Sequence, residues 1–216
     1  MQESLFDTPH RGEQIQLEDA TLLYYPRFYD EAKADELFRV LQLQIPWRQE
    51  QTRIAGIPRL QPRLSAGFGD ADAEYTYSGL HLLPLPWHPH LLDIKNDIEH
   101  AIAGEVKMRG PQHFNSVLLN YYRDERDSMG WHSDDETELG LQPVIASLSL
   151  GGSRTFALKH RERKDLRYKI PLAHGSLLIM SGDTQSHWLH AIAKETLACD
   201  ARINLTFRQI FPSKII

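Results

Sequence analysis

Between residues 114 and 210 the chain lays down seven short segments with no long helix-like stretch among them: FNSVLLNYY, VIASLSL, RTFALKH, LRYKI, SLLIM, SHWLHAI and RINLTFRQI. Each is rich in aliphatic, β-branched or aromatic residues, and Gly, Pro or charged breaks divide them. A parallel sheet needs a long crossover, usually helical, between neighbouring strands. Consecutive strands without such crossovers predict a mainly β (α+β) fold, a sandwich or jelly roll of antiparallel sheets. Two helices are expected ahead of this block. EAKADELFRVLQLQI carries Leu37, Val40, Leu41 and Ile45 near helical spacing, with Asp30 as its cap and Pro46 as its stop. HLLDIKNDIEHAIAG brings Leu91, Ile94, Ile98 and Ile102 onto one helical face and ends at Gly104. Between the two helices, Pro58, Pro62, Pro84 and YTYSG predict loops and hairpins. The expected organisation is a flexible polar tail over 1–14 and one domain over 15–216.

A chain of 216 residues is long enough for one substantial core. No apolar run approaches the roughly 18–20 residues of a membrane span, and the start MQESLFDTPHRGEQ lacks the pattern of a secretory signal. Cys199 is the only cysteine, which excludes an intrachain disulfide and leaves it as a packed small hydrophobe. A reducing cytoplasm is therefore the expected compartment. The formal net charge of −5 argues against indiscriminate binding of nucleic acid. Its distribution is uneven, however. Residues 153–169 carry seven Lys/Arg against two acids, 48–63 four Arg against one Glu, and 124–138 seven acids against one Arg.

The acidic segment contains GWHSDDE over 130–136. His132 and Asp134 are i and i+2, so on an extended chain imidazole and carboxylate project from one face. A third histidine would complete a two-histidine, one-carboxylate set. Non-haem Fe(II) oxygenases use that set because it leaves open positions for cosubstrate, oxygen or water. Spacing does not choose among His160, His174, His187 and His190. Beyond His190, Arg202, Asn204, Thr206 and Arg208 alternate and so share one face of a strand. An arginine fork holds a carboxylate in bidentate fashion, which suits a dicarboxylate cosubstrate.

Together WHSDDE, SHWLHAI and RINLTFR resemble the AlkB family of Fe(II)/2-oxoglutarate dioxygenases. FNSVLLNYY is similar to the strand before that family's iron motif, and YTYSG to its substrate-facing hairpin; the likeness spans roughly 55–210. The resemblance implies a double-stranded β-helix (jelly-roll) core with flanking helices and an N-terminal nucleotide-recognition lid in hairpins at about 46–80. It implies His132, Asp134 and His190 as Fe(II) ligands. It implies Asn120, Tyr122, Arg202, Asn204, Thr206 and Arg208 around 2-oxoglutarate, with Arg202 on the distal carboxylate. Tyr75 and Tyr77 would sandwich a flipped base, Asp135 would face its cationic ring, and Arg63 resembles a lid arginine. His187 lies an odd number of residues from His190, so a regular strand turns it away, and Glu136 is expected as surface charge. The implied reaction consumes O2 and 2-oxoglutarate, hydroxylates an N-methyl group and releases formaldehyde.

The implied partner is DNA, with RNA as a second candidate, and the basic segments 48–63 and 153–169 would grip phosphates. A monomer without membrane association is expected. One departure stands out. Where duplex-repairing relatives carry an aromatic finger, this chain reads TRIAGIPRLQPR, with Ala55 and Ile57, and Ile57 is the remaining candidate wedge. The start QESLF resembles the peptide by which bacterial proteins dock on the replication sliding clamp, through Gln2, Leu5 and Phe6. The competing function is a 2-oxoglutarate oxygenase acting on protein, lipid or a small molecule. A binding-only module is disfavoured because the whole ligand set is present.

Overall fold

The computed structural model describes residues 12–54, 57–73, 75–77, 80–108 and 113–211; for 53–54, 75–77 and 80–82 only the backbone is described. Gln2, Leu5 and Phe6 of the clamp-like peptide, and Ala55, lie outside the described residues. In chain order the elements are β1 (Glu13–Leu17), β2 (Ala20–Tyr25), α1 (Glu31–Gln44), β3 (Gln51–Ile54), β4 (Ile57–Leu60), β5 (Leu64–Gly69), β6 (Tyr75–Tyr77), β7 (Leu80–Leu82) and α2 (Pro89–Ile102). There follow β8 (Ser116–Tyr122), β9 (Met129–His132), a 3-10 turn (Thr137–Leu139), β10 (Ile145–Gly151), β11 (Arg154–His160), β12 (Arg167–Leu172) and β13 (Ser176–Ser181). The chain closes with α3 (Thr184–His187), β14 (Trp188–Ile192) and β15 (Arg202–Arg208).

The strands form two antiparallel sheets, ordered β1-β2-β13-β10-β15-β8-β5 and β12-β11-β14-β9, with β3-β4 and β6-β7 as separate hairpins. This is the jelly-roll core. Both helices form where the apolar spacing puts them. The Asp30 carboxylate accepts the Lys33 backbone N–H at 2.8 Å, capping α1. Ile45, the residue before Pro46, is extended and ends it. Pro89 occupies the first turn of α2, where its missing N–H costs nothing. Gly104 follows that helix at φ +80°, a conformation an L side chain rarely adopts.

Strand alternation then divides the interior. On β15, Ile203, Leu205 and Phe207 join the apolar cluster under α1 and α2, while Arg202, Asn204, Thr206 and Arg208 take the opposite face and are buried too. On β8, Val117 and Leu119 face the helices, while Leu118 and Tyr122 pack in the cluster between the sheets with Phe156, Leu158 and Ile192. The large sheet is thus covered on both sides. Removing a side chain such as Phe207 from that packing costs about 3–5 kcal/mol.

Two expectations change here. Regular structure begins at Glu13, inside the expected tail, because β1 and β2 extend the large sheet from β13. SHWLHAI is not one strand: its first two residues end α3, and the strand starts at Trp188. No helix among the described residues is long and apolar enough to cross a membrane.

Candidate active site

β9 and β14 are neighbours in the small sheet, and His132 and His190 pair directly across them. Their ring centroids are 4.2 Å apart. Asp134 follows two residues after β9, and the donor atoms of His132, Asp134 and His190 all lie within 4.8 Å of one another. The His132 Nδ1 lies 2.8 Å from the Gly130 carbonyl oxygen. A carbonyl only accepts, so Nδ1 carries the proton and Nε2 keeps its lone pair for a metal. The His190 ring lies against Phe156, with centroids 5.0 Å apart.

Electrostatics prepare the same donors. Burial, then the neighbouring His132, pulls His190 down to about 3, and burial also lowers His132. Both imidazoles are therefore neutral at ordinary pH. Burial would raise the Asp134 carboxyl, but the Arg208 guanidinium outweighs it and holds the carboxyl below the usual carboxylate range. Arg208 Nη2 donates to Asp134 Oδ1 at 2.9 Å, and Gln185 Oε1 accepts the Asp134 backbone N–H at 2.9 Å. Two neutral imidazoles and one ionised carboxylate suit a divalent first-row metal.

The same cavity, about 430 Å³, is lined by Asn120, Tyr122, Arg202, Asn204, Thr206 and Arg208. Pairing of β15 with β8 sets Arg202 beside Tyr122 and Asn204 beside Asn120. Arg202 Nη2 donates to Ser149 Oγ at 2.9 Å, and its guanidinium carbon lies 5.2 Å from the Tyr122 ring centroid. Its Nε and Nη1 are buried with no hydrogen-bond partner among the described residues. Burial pulls the group down to about 10, and it stays protonated at neutral pH. A cation 1% exposed with two idle guanidinium nitrogens is a socket for an anion. The interior thus fits both halves of the expected occupant, a metal and a carboxylate.

The remaining expected residues are placed as follows. Arg63 is buried, and its Nε donates to Asn120 Oδ1 at 2.7 Å. It lines a second cavity of about 710 Å³ that shares Asn120 with the first. Asp135 is exposed and ion-paired with Arg161 at 2.6 Å. Tyr75 and Tyr77 sit in the β6-β7 hairpin, and their side chains lie outside the described atoms.

Glu136 corrects the surface-charge expectation. It is half-buried, its Oε2 has no partner among the described residues, and burial, then the Asp134 charge, pushes it up to about 7. His187 stands away from His190, but because residues 184–187 are helical, not through strand parity. His160 Nδ1 accepts the backbone N–H groups of Glu162 and Arg163 at 3.2 and 3.0 Å. Its proton is thus on Nε2, 3.4 Å from Asp19, which His187 also approaches at 3.8 Å. These three groups latch the β1-β2 turn to the small sheet. His174 Nδ1 accepts the Gly151 N–H at 2.7 Å.

Four contributors escaped the sequence reading. Gln185 holds the Asp134 backbone, and Ser149 and Ser147 bond Arg202 and Asn204. Arg154, counted in a basic segment, is wholly buried with its guanidinium carbon 5.7 Å from the Tyr122 ring centroid. The serines had a signal: they alternate in the apolar strand VIASLSL.

Residues 21–208 match the family model of the 2OG-Fe(II) oxygenase superfamily, the class that this sandwich and donor set define. The chain belongs to the AlkB family within that superfamily. It is 44% identical over 197 residues to the alpha-ketoglutarate-dependent dioxygenase alkB homolog 3 of Homo sapiens, covering 87% of this chain and 65% of that protein. It is 36% identical over 200 residues to the DNA oxidative demethylase ALKBH2 of Homo sapiens, covering 88% and 74%. The chain thus spans just under two thirds of the length of the human homolog 3. The solved structure of OsALKBH1 shares the fold at a TM-score of 0.56 and 16% identity, covering 91% of this chain and 100% of that one.

Proposed function

We propose that the chain couples decarboxylation of 2-oxoglutarate to oxidative demethylation of N-alkylated bases, of the 1-methyladenine and 3-methylcytosine type, in DNA. The observation that carries this is the buried Arg202, two of whose guanidinium nitrogens have no partner among the described residues, lining one cavity with His132, Asp134 and His190. In this reading those three residues hold Fe(II), and Arg202, steadied by Ser149 and Tyr122, binds the distal carboxylate of 2-oxoglutarate. Fe(II), O2 and 2-oxoglutarate, when bound, supply the oxidising chemistry that hydroxylates an N-methyl carbon.

The chain's own contribution is positional. The Gly130 carbonyl sets the His132 tautomer, and Arg208 keeps Asp134 ionised and in place. Asn120, Asn204 and Thr206 complete the polar wall against the cosubstrate. Asp135 exchanges Arg161 for a methylated, cationic base, and Tyr75 and Tyr77 sandwich that base. The DNA substrate rests on the likeness to human ALKBH2, a DNA oxidative demethylase 36% identical to this chain.

The test is formaldehyde release from paired single- and double-stranded oligonucleotides carrying 1-methyladenine or 3-methylcytosine. Formaldehyde and succinate in equal amounts are expected. Succinate alone, whatever oligonucleotide is offered, would sink the repair reading.

A further inference from the structure

The cavity uses only one face of the small sheet. The opposite face has a composition of its own. The strands MGWH, RTFALKH, RYKIPL and WLHAI contain no acidic residue, in a chain whose 29 acids outnumber its 24 Lys and Arg. Pairing places Lys159 beside Arg167 and Ala157 beside Lys169. Alternation turns all four away from Phe156 and Leu158, which pack between the sheets. Among the described residues none of Lys159, Arg167 and Lys169 has an ion-pair partner, whereas nearby Arg161 and Arg163 are paired with Asp135 and with Asp165 and Glu18. Trp131 completes the face. It is 45% exposed, and the Lys159 ammonium lies 4.4 Å from its ring centroid.

Trp131 also adjoins the active site. The strand order makes β9 an edge of its sheet. His132 lines the cavity on the inner face, and its neighbour Trp131 stands on the outer one. A nucleic-acid strand passing over that edge would present one nucleotide to each face. An exposed indole stacks any base, and cations around it hold phosphates without reading sequence. A carboxylate-free face bearing three unpaired cations and one indole fits a polyanion that also carries aromatic bases.

We propose that the outer face of the small sheet docks the single strand flanking the target nucleotide, with Trp131 stacked on a neighbouring base and Lys159, Arg167 and Lys169 on its phosphates. The proposal rests on the nucleic-acid reading above, yet its test does not need turnover. A fluorescein-labelled, unmethylated single strand of about 15 nucleotides is bound across a salt series and followed by anisotropy. Each variant is first checked for cooperative thermal unfolding. Trp131→Ala should weaken binding about tenfold, while Trp131→Phe, which keeps a stacking ring, should stay close to wild type. The triple variant Lys159→Ala/Arg167→Ala/Lys169→Ala should lower the slope of log affinity against log salt by about 2, since each phosphate contact on a single strand contributes roughly 0.7.

Unchanged affinity and slope in both the Trp131→Ala and triple variants would overturn the proposal. So would a triple variant that loses binding to vesicles of anionic phospholipid while holding DNA as before. Wild type that shows these binding effects but releases no formaldehyde would leave the docking face intact and remove the demethylase reading. Demethylation with no variant effect on binding would do the reverse.

Discussion

β15 and β4 stand at opposite extremes of one chain. All seven residues of Arg202–Arg208 are buried, although four are polar or charged, and all four of Ile57–Leu60 are exposed, although two are large aliphatics. β15 is paired on both sides and covered on both faces, so each polar side chain on it must find a partner inside or wait for a ligand. β4 belongs to a two-stranded hairpin and pays almost nothing for what it displays. The contrast separates a buried polar interior, where every group is fixed by packing, from an exposed hairpin that the proposed function would leave for contact with substrate.

The sharpest way to break that contrast is Arg202→Met. Removing a buried charge that has no counter-ion among the described residues should raise the melting temperature of the protein free of 2-oxoglutarate, unlike most core substitutions. The same change should raise KM for 2-oxoglutarate at least about 100-fold. A lower melting temperature together with an unchanged KM would mean that Arg202 is purely structural.

Glu136 tests the boundary between the two regions. Its folded-state value of about 7 lies above the ordinary 4.5, so its contribution to stability is fully present below pH 4.5 and is lost as pH rises through 7. Glu136→Gln in metal-free protein should thus gain roughly 1 kcal/mol over wild type near pH 8, discounted for partial exposure, and gain nothing near pH 4. Denaturant titrations at the two pH values measure it, and an equal gain at both would remove the burial argument.

The smallest stability effect belongs to the exposed hairpin. Ile57 is 57% exposed, so Ile57→Ala should change unfolding free energy by no more than about 0.5 kcal/mol. Its effect should appear instead as a severalfold drop in formaldehyde from duplex relative to single-stranded substrate, since only the duplex needs a wedge. Equal turnover on both would discard the wedge.

Much of this was legible in advance wherever a periodic pattern ran for several residues. The Asp30 cap, the Pro46 stop, the seven late segments and the alternation of Arg202, Asn204, Thr206 and Arg208 each follow from local geometry. β1 and β2 were missed because EQIQLEDATLLYY begins as polar as a tail, and it becomes sheet only by pairing with the distant β13. Glu136 and Arg154 were misread for one reason: burial of a charged side chain is decided by elements far away in sequence. A basic segment counted as surface charge therefore hid a wholly interior arginine. His187 does stand away from His190, but for another reason: one helical turn interrupts the strand, so parity does not apply there.

Two imidazoles on neighbouring strands and a carboxylate just beyond the first of them are placed to hold one metal. Anaerobic loading with Fe(II), desalting and metal analysis test it directly on wild type and His132→Ala, a half-buried site where truncation leaves no stranded charge. About one iron per folded wild-type chain, and almost none in a variant that still unfolds cooperatively, is the predicted result. Equal iron in both proteins would contradict it.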